Sequence, residues 1–458
     1  MVRIFPHRPS TIAFLNPAAN DGGNERTRLE CSLKKQFPDV VIVAERIPDA
    51  DVRHQQWANL LNGLKPQRVI VAGGDGTTTE VMSVLMNLSG RTVTSFDEID
   101  ELSPPDWLEQ VSGIHGTGSA GDYDKTIGFP TLDNLSSALQ LGGAVILPLG
   151  MAWALMPTQT PGLFDPQVVS HSLTAGFVAE HVFARRDLAL IKWKEAKEEV
   201  EAIDDFAMAR AFRDTLALFS ESLGNRDIPW HLEKVRGRVL CFFEALLETI
   251  KARAAVQLGI EGPVDPLKHF DVAVTKNSDP SIHLKDVIDV DLFGLLMAAG
   301  GVGIPEAYPI AGPDFRMTLA SVPNNMALGI LMAVEGACRG SLAKLGCTSL
   351  IGPNSHFLTV QGAVKHGVMP AGHFQTLSHG DHVTIDFTRR HEGRSESLPV
   401  QLLRNGDVLP PAPRLRIAVG QAHQALPFVA SQRSPLARVA AKFSHGPKQP
   451  SLLTRRTS

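Results

Sequence analysis

The sequence predicts an α/β protein in which an N-terminal open sheet of alternating strands and helices is followed by a β-rich, sandwich-type second domain with a helical insertion. Three observations point there. Short apolar runs at 11–15, 39–43 and 69–72 alternate with helical stretches at about 24–36 and 53–63, the pattern of strands joined by helical crossovers. After residue 149 the apolar segments become short and numerous, at 168–175, 270–275, 315–322, 383–388, 398–403 and 415–419, which favours a β-rich module. Residues 192–258 mix Lys, Glu and Arg with Ala, Leu and Phe and hold a single proline, Pro229, so they read as two or more amphipathic helices.

Taken in order, the first strand is the apolar run from Thr11 to Leu15; it ends in Asn16-Pro17 and leads into a small-residue loop with Gly22-Gly23. The third, Val69 to Ala72, is β-branched and almost continuously apolar, as a strand buried on both faces must be. It breaks into Gly73-Gly74-Asp75-Gly76-Thr77, and helical character resumes near Thr77. Glycines allow backbone angles and close approaches that a Cβ would block. The amides of such a turn can point into an anion site at a helix N-terminus, and Asp75 sets a carboxylate beside it, where a proton acceptor or magnesium partner is needed. A tight turn with no ligand explains the spacing as well. The turn lacks the Lys-Ser/Thr ending of a Walker loop and the glycine spacing of the dinucleotide fingerprint. Residues 90–111 read as an acidic surface loop and short helix. Further on, 400–404 and 415–419 read as paired strands around an Asn405-Gly406 hairpin turn.

Gly73-Gly74-Asp75-Gly76-Thr77 with Glu80 resembles the diacylglycerol kinase catalytic domain family, which includes sphingosine kinases and bacterial lipid kinases; NAD kinases share this motif. Asn16-Pro17 before it and the segment Gly116 to Gly128 after it fit the same family in the same order. The resemblance implies a Rossmann-like first domain, ATP and Mg2+ as cofactors, and transfer of the γ-phosphate to a lipid hydroxyl, on diacylglycerol or a sphingoid base. It places Asn16, Gly73, Gly74, Gly76, Thr77, Glu80, Gly116, Thr117, Gly118 and Asp122 around the nucleotide and makes Asp75 the acceptor of the hydroxyl proton. Ser172 to Glu180 is similar to the family's Gly-Phe-x-Ala-acid segment, which makes Glu180 a candidate for binding the lipid head group; a solvated surface group is the plainer reading. Asp407 stands at the family's Asp-Gly-Glu turn as a catalytic candidate holding magnesium through water, and Asp314 is a second candidate for that network. Gly121, Asn405 and Phe315 depart from the family pattern. Two alternatives stay open: a soluble-substrate kinase of NAD kinase type, and a catalytically weakened lipid-binding or regulatory homologue.

At 458 residues the chain exceeds one core, and the expected divisions are 9–148, 149–430 and a disordered basic tail at 431–458. That tail holds Arg433, Arg438, Lys442, Lys448, Arg455 and Arg456 without an acid, so it is a candidate for attraction to an anionic membrane. A net charge of −4 argues against a nucleic-acid partner, and no apolar run is long enough to span a bilayer. With no signal-peptide apolar region at the start, a cytoplasmic protein with peripheral membrane contact is expected. The four cysteines have no metal or disulfide spacing and read as reduced core thiols, and His171, His181, His356 and His373 read as structural.

Overall fold

A computed structural model describes residues 10–16, 24–44, 47–114, 126–129, 131–177, 179–180, 259, 269–294, 308–323, 373–391, 394–404 and 407–443. The insertion expected at 192–258 and the glycine segment with Gly116, Thr117, Gly118, Gly121 and Asp122 lie outside them.

The first unit is built from β1 (Thr11–Leu15), α1 (Asn24–Gln36), β2 (Val41–Val43), α2 (Ala50–Leu64), β3 (Arg68–Ala72), α3 (Asp75–Met86), β4 (Gln110–Ile114) and β5 (Ala144–Leu149). The second comprises β6 (Ala152–Pro157), β7 (Phe164–Val169), β8 (Ser172–Gly176), β9 (Phe270–Lys276), β10 (Ile282–Phe293), β11 (Met317–Pro323), β12 (Phe374–Leu377), β13 (His382–His391), β14 (Arg394–Ser397), β15 (Val400–Arg404), β16 (Asp407–Ala412) and β17 (Arg414–Val419). The chain then returns to the first sheet as β18 (Leu426–Ser431) and closes with a helix at Pro435–Phe443.

In space the first sheet runs β2-β1-β3-β4-β18-β5. β2, β1, β3, β4 and β18 are parallel, and β5 runs antiparallel to β18. The chain leaves β1 on one side to reach β2 and returns on the other to reach β3, so the strand order reverses between β1 and β3. In open α/β sheets that reversal opens a crevice at the carboxyl ends of the strands, where ligands bind. The expected boundary at 149–430 is therefore corrected at its C-terminal end, since all six residues of β18 pair with β5. The tail is corrected too: Ser434 caps the last helix through Ala437 N–H at 3.1 Å, and Leu436 is fully buried against the first core. Cys31, expected in the core, is exposed on α1; the other three cysteines lie outside the described residues.

The second unit is one antiparallel sheet of twelve strands, β16-β15-β8-β10-β9-β13-β17-β6-β7 along its main path, with β11 and β12 branching from β10 and β14 from β13. The two units share a wall. Trp153, Leu155, Val168 and Ala418 of β6, β7 and β17 pack into the first core, while their neighbours Ala152, Ala154, Met156, Val169, Ile417 and Val419 pack into the second. Strands buried on both faces must be apolar throughout, and the run Ala-Trp-Ala-Leu-Met of β6 meets that demand. α3 lies against this wall, with Ser83 Oγ accepting from Val168 N–H at 3.3 Å. Two short crossings join the sheets, at Gly150-Met151 and over residues 420–425, bonded to each other by Gly420 N–H to Met151 O at 2.9 Å. Segment 308–316 folds over the first crossing: Gly150 N–H donates to Pro309 O and Ala311 N–H to Pro148 O, both at 2.8 Å.

Candidate active site

The crevice at the strand reversal is occupied by the turn singled out in the sequence. β3 delivers its chain into Gly73 and Gly74, and α3 starts at Asp75, two residues earlier than the sequence suggests, because Gly74 takes the extended N-cap conformation (φ −80°, ψ 179°). Gly76 is thus a first-turn helical residue. Thr78 N–H donates to Gly74 O at 3.2 Å and opens the helical ladder. Gly73 is needed for space: a Cβ there would lie 2.8 Å from Thr77 Cβ. That close approach lets Thr77 Oγ1 accept from Asn16 Nδ2 at 2.8 Å, while Asn16 N–H donates to Ala72 O at 2.9 Å. The ends of β1 and β3 and the first turn of α3 are tied into one unit.

Asp75 is buried, 8% exposed, at the first helical position, where the helix dipole favours a negative charge. One turn on, Glu80 Oε1 accepts from Arg53 Nε at 2.8 Å, from Arg53 Nη2, and from His54 Nε2 at 2.8 Å. Burial pushes the Glu80 carboxyl up, but the His54 and Arg53 hydrogen bonds outweigh it and hold the group below the usual glutamate range. Asp49 caps α2 through Val52 N–H at 3.0 Å and so fixes the turn that carries Arg53 and His54.

These residues form one side of a cleft of about 1450 Å³ between the two units. Asn16, Gly76, Thr77, Glu80, Arg53 and His54 line it from the first unit, and Met156, Pro157, Asp165, Gln167, Arg404 and Leu409 from the second. Arg404, 4% exposed at the end of β15, donates from Nη1 to Gln167 Oε1, and Gln167 Nε2 donates to Asp165 Oδ2.

The expected site residues divide accordingly. Asn16, Gly76, Thr77 and Glu80 meet at the cleft, while Gly73, Gly74 and Asp75 of the same turn are not among the residues that line it. Gly116, Thr117, Gly118 and Asp122 lie outside the described residues. Asp407 begins β16 directly across from Arg404 in the register, and its side chain lies outside the described set. Asp314 does not join them: it is exposed in the turn of segment 308–316 and does not line the cleft. Glu180, half-buried beyond the end of β8, does not line it either. Among the described residues, no three His, Cys, Asp or Glu gather as a metal set. Sequence reasoning missed Arg53, His54, Gln167 and Arg404, whose partners are 27, 26 and 237 positions away and leave no local signal.

No curated protein matches the sequence. Among solved structures the chain is similar to a diacylglycerol kinase from Bacillus anthracis str. Sterne, with 14% identity, coverage of 92% of this chain and 96% of that one, and a TM-score of 0.41. It is also similar to yeast NADH kinase complexed with NADH, at 8% identity, 98% and 91% coverage and a TM-score of 0.43. Residues 10–148 match the profile of the diacylglycerol kinase catalytic domain. That match runs from the residue before β1 into β5 and includes the Asn16–Thr77 crevice, so the N-terminal unit of this chain is similar to the diacylglycerol kinase catalytic domain.

Proposed function

We propose that the chain is an ATP-dependent lipid kinase that transfers the γ-phosphate to a hydroxyl of a lipid, either diacylglycerol or a sphingoid base. The observation that carries this reading is the family match over residues 10–148, with the glycine turn and the Asn16–Thr77 bond at the strand reversal inside it. Phosphoryl transfer passes through a loose transition state in which positioning and charge neutralisation do most of the work. The first-turn amides of α3 supply the positive end of a helix dipole to the phosphates. Asn16 holds Thr77 in place. Asp75 takes the proton of the lipid hydroxyl as its oxygen bonds to the γ-phosphorus and the bond to ADP breaks. Magnesium would add charge neutralisation at the phosphates; among the described residues no three His, Cys, Asp or Glu gather to hold it. Lipid acceptors lie in membranes, so peripheral membrane contact belongs to the same proposal; no helix among the described residues is long and apolar enough to cross one.

Radiolabelled ATP incubated with diacylglycerol, a sphingoid base or NAD tests the reading. Labelled lipid supports it, labelled NAD replaces it with a soluble-substrate kinase, and ATP binding without any labelled product replaces it with a regulatory homologue. Asp75→Asn should lower turnover by about 10² to 10⁴, the range for general-base help, while the protein still unfolds in one cooperative transition.

A further inference from the structure

We propose that the tip built from Leu141 and the turn at Gln432-Arg433, with Arg438 on the helix that follows, seats the protein on a membrane surface that carries anionic lipid. The proposal deepens the kinase reading by naming the surface for its membrane contact, and rests on it only for the reason to approach a membrane. β18 runs parallel to β4, and β4 to β3, so Ser431, the last residue of β18, lies on the edge of the sheet where β3 delivers the glycine turn. β5 runs the other way and begins on that same edge, with Ala144 opposite Ser431. The turn before β5 and the turn after β18 are bonded together there: Gln432 N–H donates to Gly143 O and Gln432 Nε2 to Gly142 O, both at 2.9 Å. Gly128, which closes the second glycine segment, packs against this turn, since a Cβ on it would lie 3.1 Å from Ser431 Cβ and 3.2 Å from Ser434 Cβ. Three strand spacings, about 14 Å, separate β5 from β3.

Leu141 stands out from this tip. It is 85% exposed, whereas the other exposed large apolar residues of the described set lie between 37% and 47%. Scattered exposed leucines are ordinary, but this one has cations beside it. Arg433 and Arg438 are exposed, and neither guanidinium meets an acid among the described residues. No Asp or Glu occurs in the sequence after Asp407, so the C-terminal stretch carries positive charge only. An apolar side chain at the tip of a basic surface suits interfacial binding, in which apolar area enters the acyl boundary and charge draws the surface to anionic head groups. Docked by this tip, the protein turns the edge that bears the glycine turn toward the bilayer, where a lipid acceptor lies.

Sedimentation of the full chain with vesicles, in the absence of nucleotide, tests the docking. Vesicles of phosphatidylcholine alone and of equal parts phosphatidylcholine and phosphatidylserine are compared for the wild type, Leu141→Ser, the pair Arg433→Gln with Arg438→Gln, and Ile282→Ser, an exposed apolar position of the second unit that serves as control. The wild type should bind the anionic vesicles, leave the neutral ones, and let go as salt rises. Leu141→Ser should weaken that binding about tenfold or more, as withdrawal of a leucine from an apolar medium does. The arginine pair should weaken it about 25-fold, at about fivefold per charge. Ile282→Ser should leave it unchanged, and since all four positions are exposed, every variant should keep the wild-type melting temperature. A wild type that ignores anionic vesicles or binds neutral ones equally well overturns the proposal, as does binding that survives both the Leu141 and the arginine substitutions, or a loss in Ile282→Ser as large as that in Leu141→Ser. If Leu141→Ser instead splits a dimer in analytical ultracentrifugation with vesicle binding intact, the tip is a contact between two copies of this chain and the proposal falls. Vesicle binding through the tip with no lipid labelled by ATP would sink the kinase reading and leave this one standing; labelled lipid with binding indifferent to Leu141 and both arginines would do the reverse.

Discussion

Gly73 shows how little freedom the turn has. The described glycines with left-handed φ do not include Gly73, Gly74 or Gly76, so backbone angle is not what selects glycine here. Space is: an added methyl at Gly73 would sit 2.8 Å from Thr77 Cβ and 2.9 Å from Thr77 Oγ1. Gly73→Ala should push Thr77 away from Asn16, destabilise the protein by about 1–3 kcal/mol as overpacking does, and weaken ATP binding in titration calorimetry. His379 makes a second prediction. Its Nε2 accepts from Gly312 N–H at 3.2 Å and its Nδ1–H donates to Gly420 O, so both bonds require the neutral ring. Burial lowers its pKa, against a smaller upward effect of the Gly420 bond. Because the folded value lies below the unfolded value of about 6.5, protonation favours the unfolded chain. The stability this ring contributes is whole above that pH and is lost as the pH falls below it toward the folded value. Melting temperatures measured from pH 7 to 5 should fall, and His379→Gln should flatten that part of the slope.

At the scale of elements, legibility followed from how local the cause was. β3 and the turn after it were readable because Val69, Ile70 and Val71 are fully buried and β-branched and the break after them is glycine. The acidic loop expected at 90–111 takes in the first two residues of β4, Gln110–Ile114, because the sequence Gln-Val-Ser-Gly-Ile hides a strand behind buried polar residues such as Ser112. The start of α3 lies two residues before the sequence places it, because a glycine N-cap offers no side chain that announces it. Phe315, a departure from the family pattern, acquires a physical role: its ring stacks on His379, centroids 4.1 Å apart, and fills the space beside Gly150. A Cβ on Gly150 would fall 2.2 Å from that ring. Gly150→Ala should therefore cost about 1–3 kcal/mol, and Phe315→Leu should relieve much of that in a double-mutant cycle, with a coupling of about 0.5–3 kcal/mol read from denaturant midpoints.

For the molecule as a whole, the sequence separated two units correctly in kind but could not say which sheet each strand joins. β18 reads like any other apolar run late in the chain, and only its pairing with β5, some 280 residues earlier, assigns it to the first sheet. The cleft was equally illegible, because each of its walls comes from a different unit and neither Glu80 with Arg53 nor Arg404 with Gln167 is close in sequence. A chain ended after Gly420 would lose β18, with Leu426, Phe428, Val429 and Ala430 all fully buried, and the helix that anchors Leu436. Such a truncation should abolish the cooperative thermal transition.

The late return of β18 also bears on how the protein is made. A ribosome that has just finished β5 must add roughly 280 residues before β18 begins, about 14–55 s at 5–20 residues per second. Throughout that interval β4 is an open edge of the nascent sheet and β5 lacks its ladder partner, and both invite pairing with other chains. Newly synthesised copies should therefore depend on chaperone holding far more than their finished stability would suggest, and slower translation should lower the soluble yield.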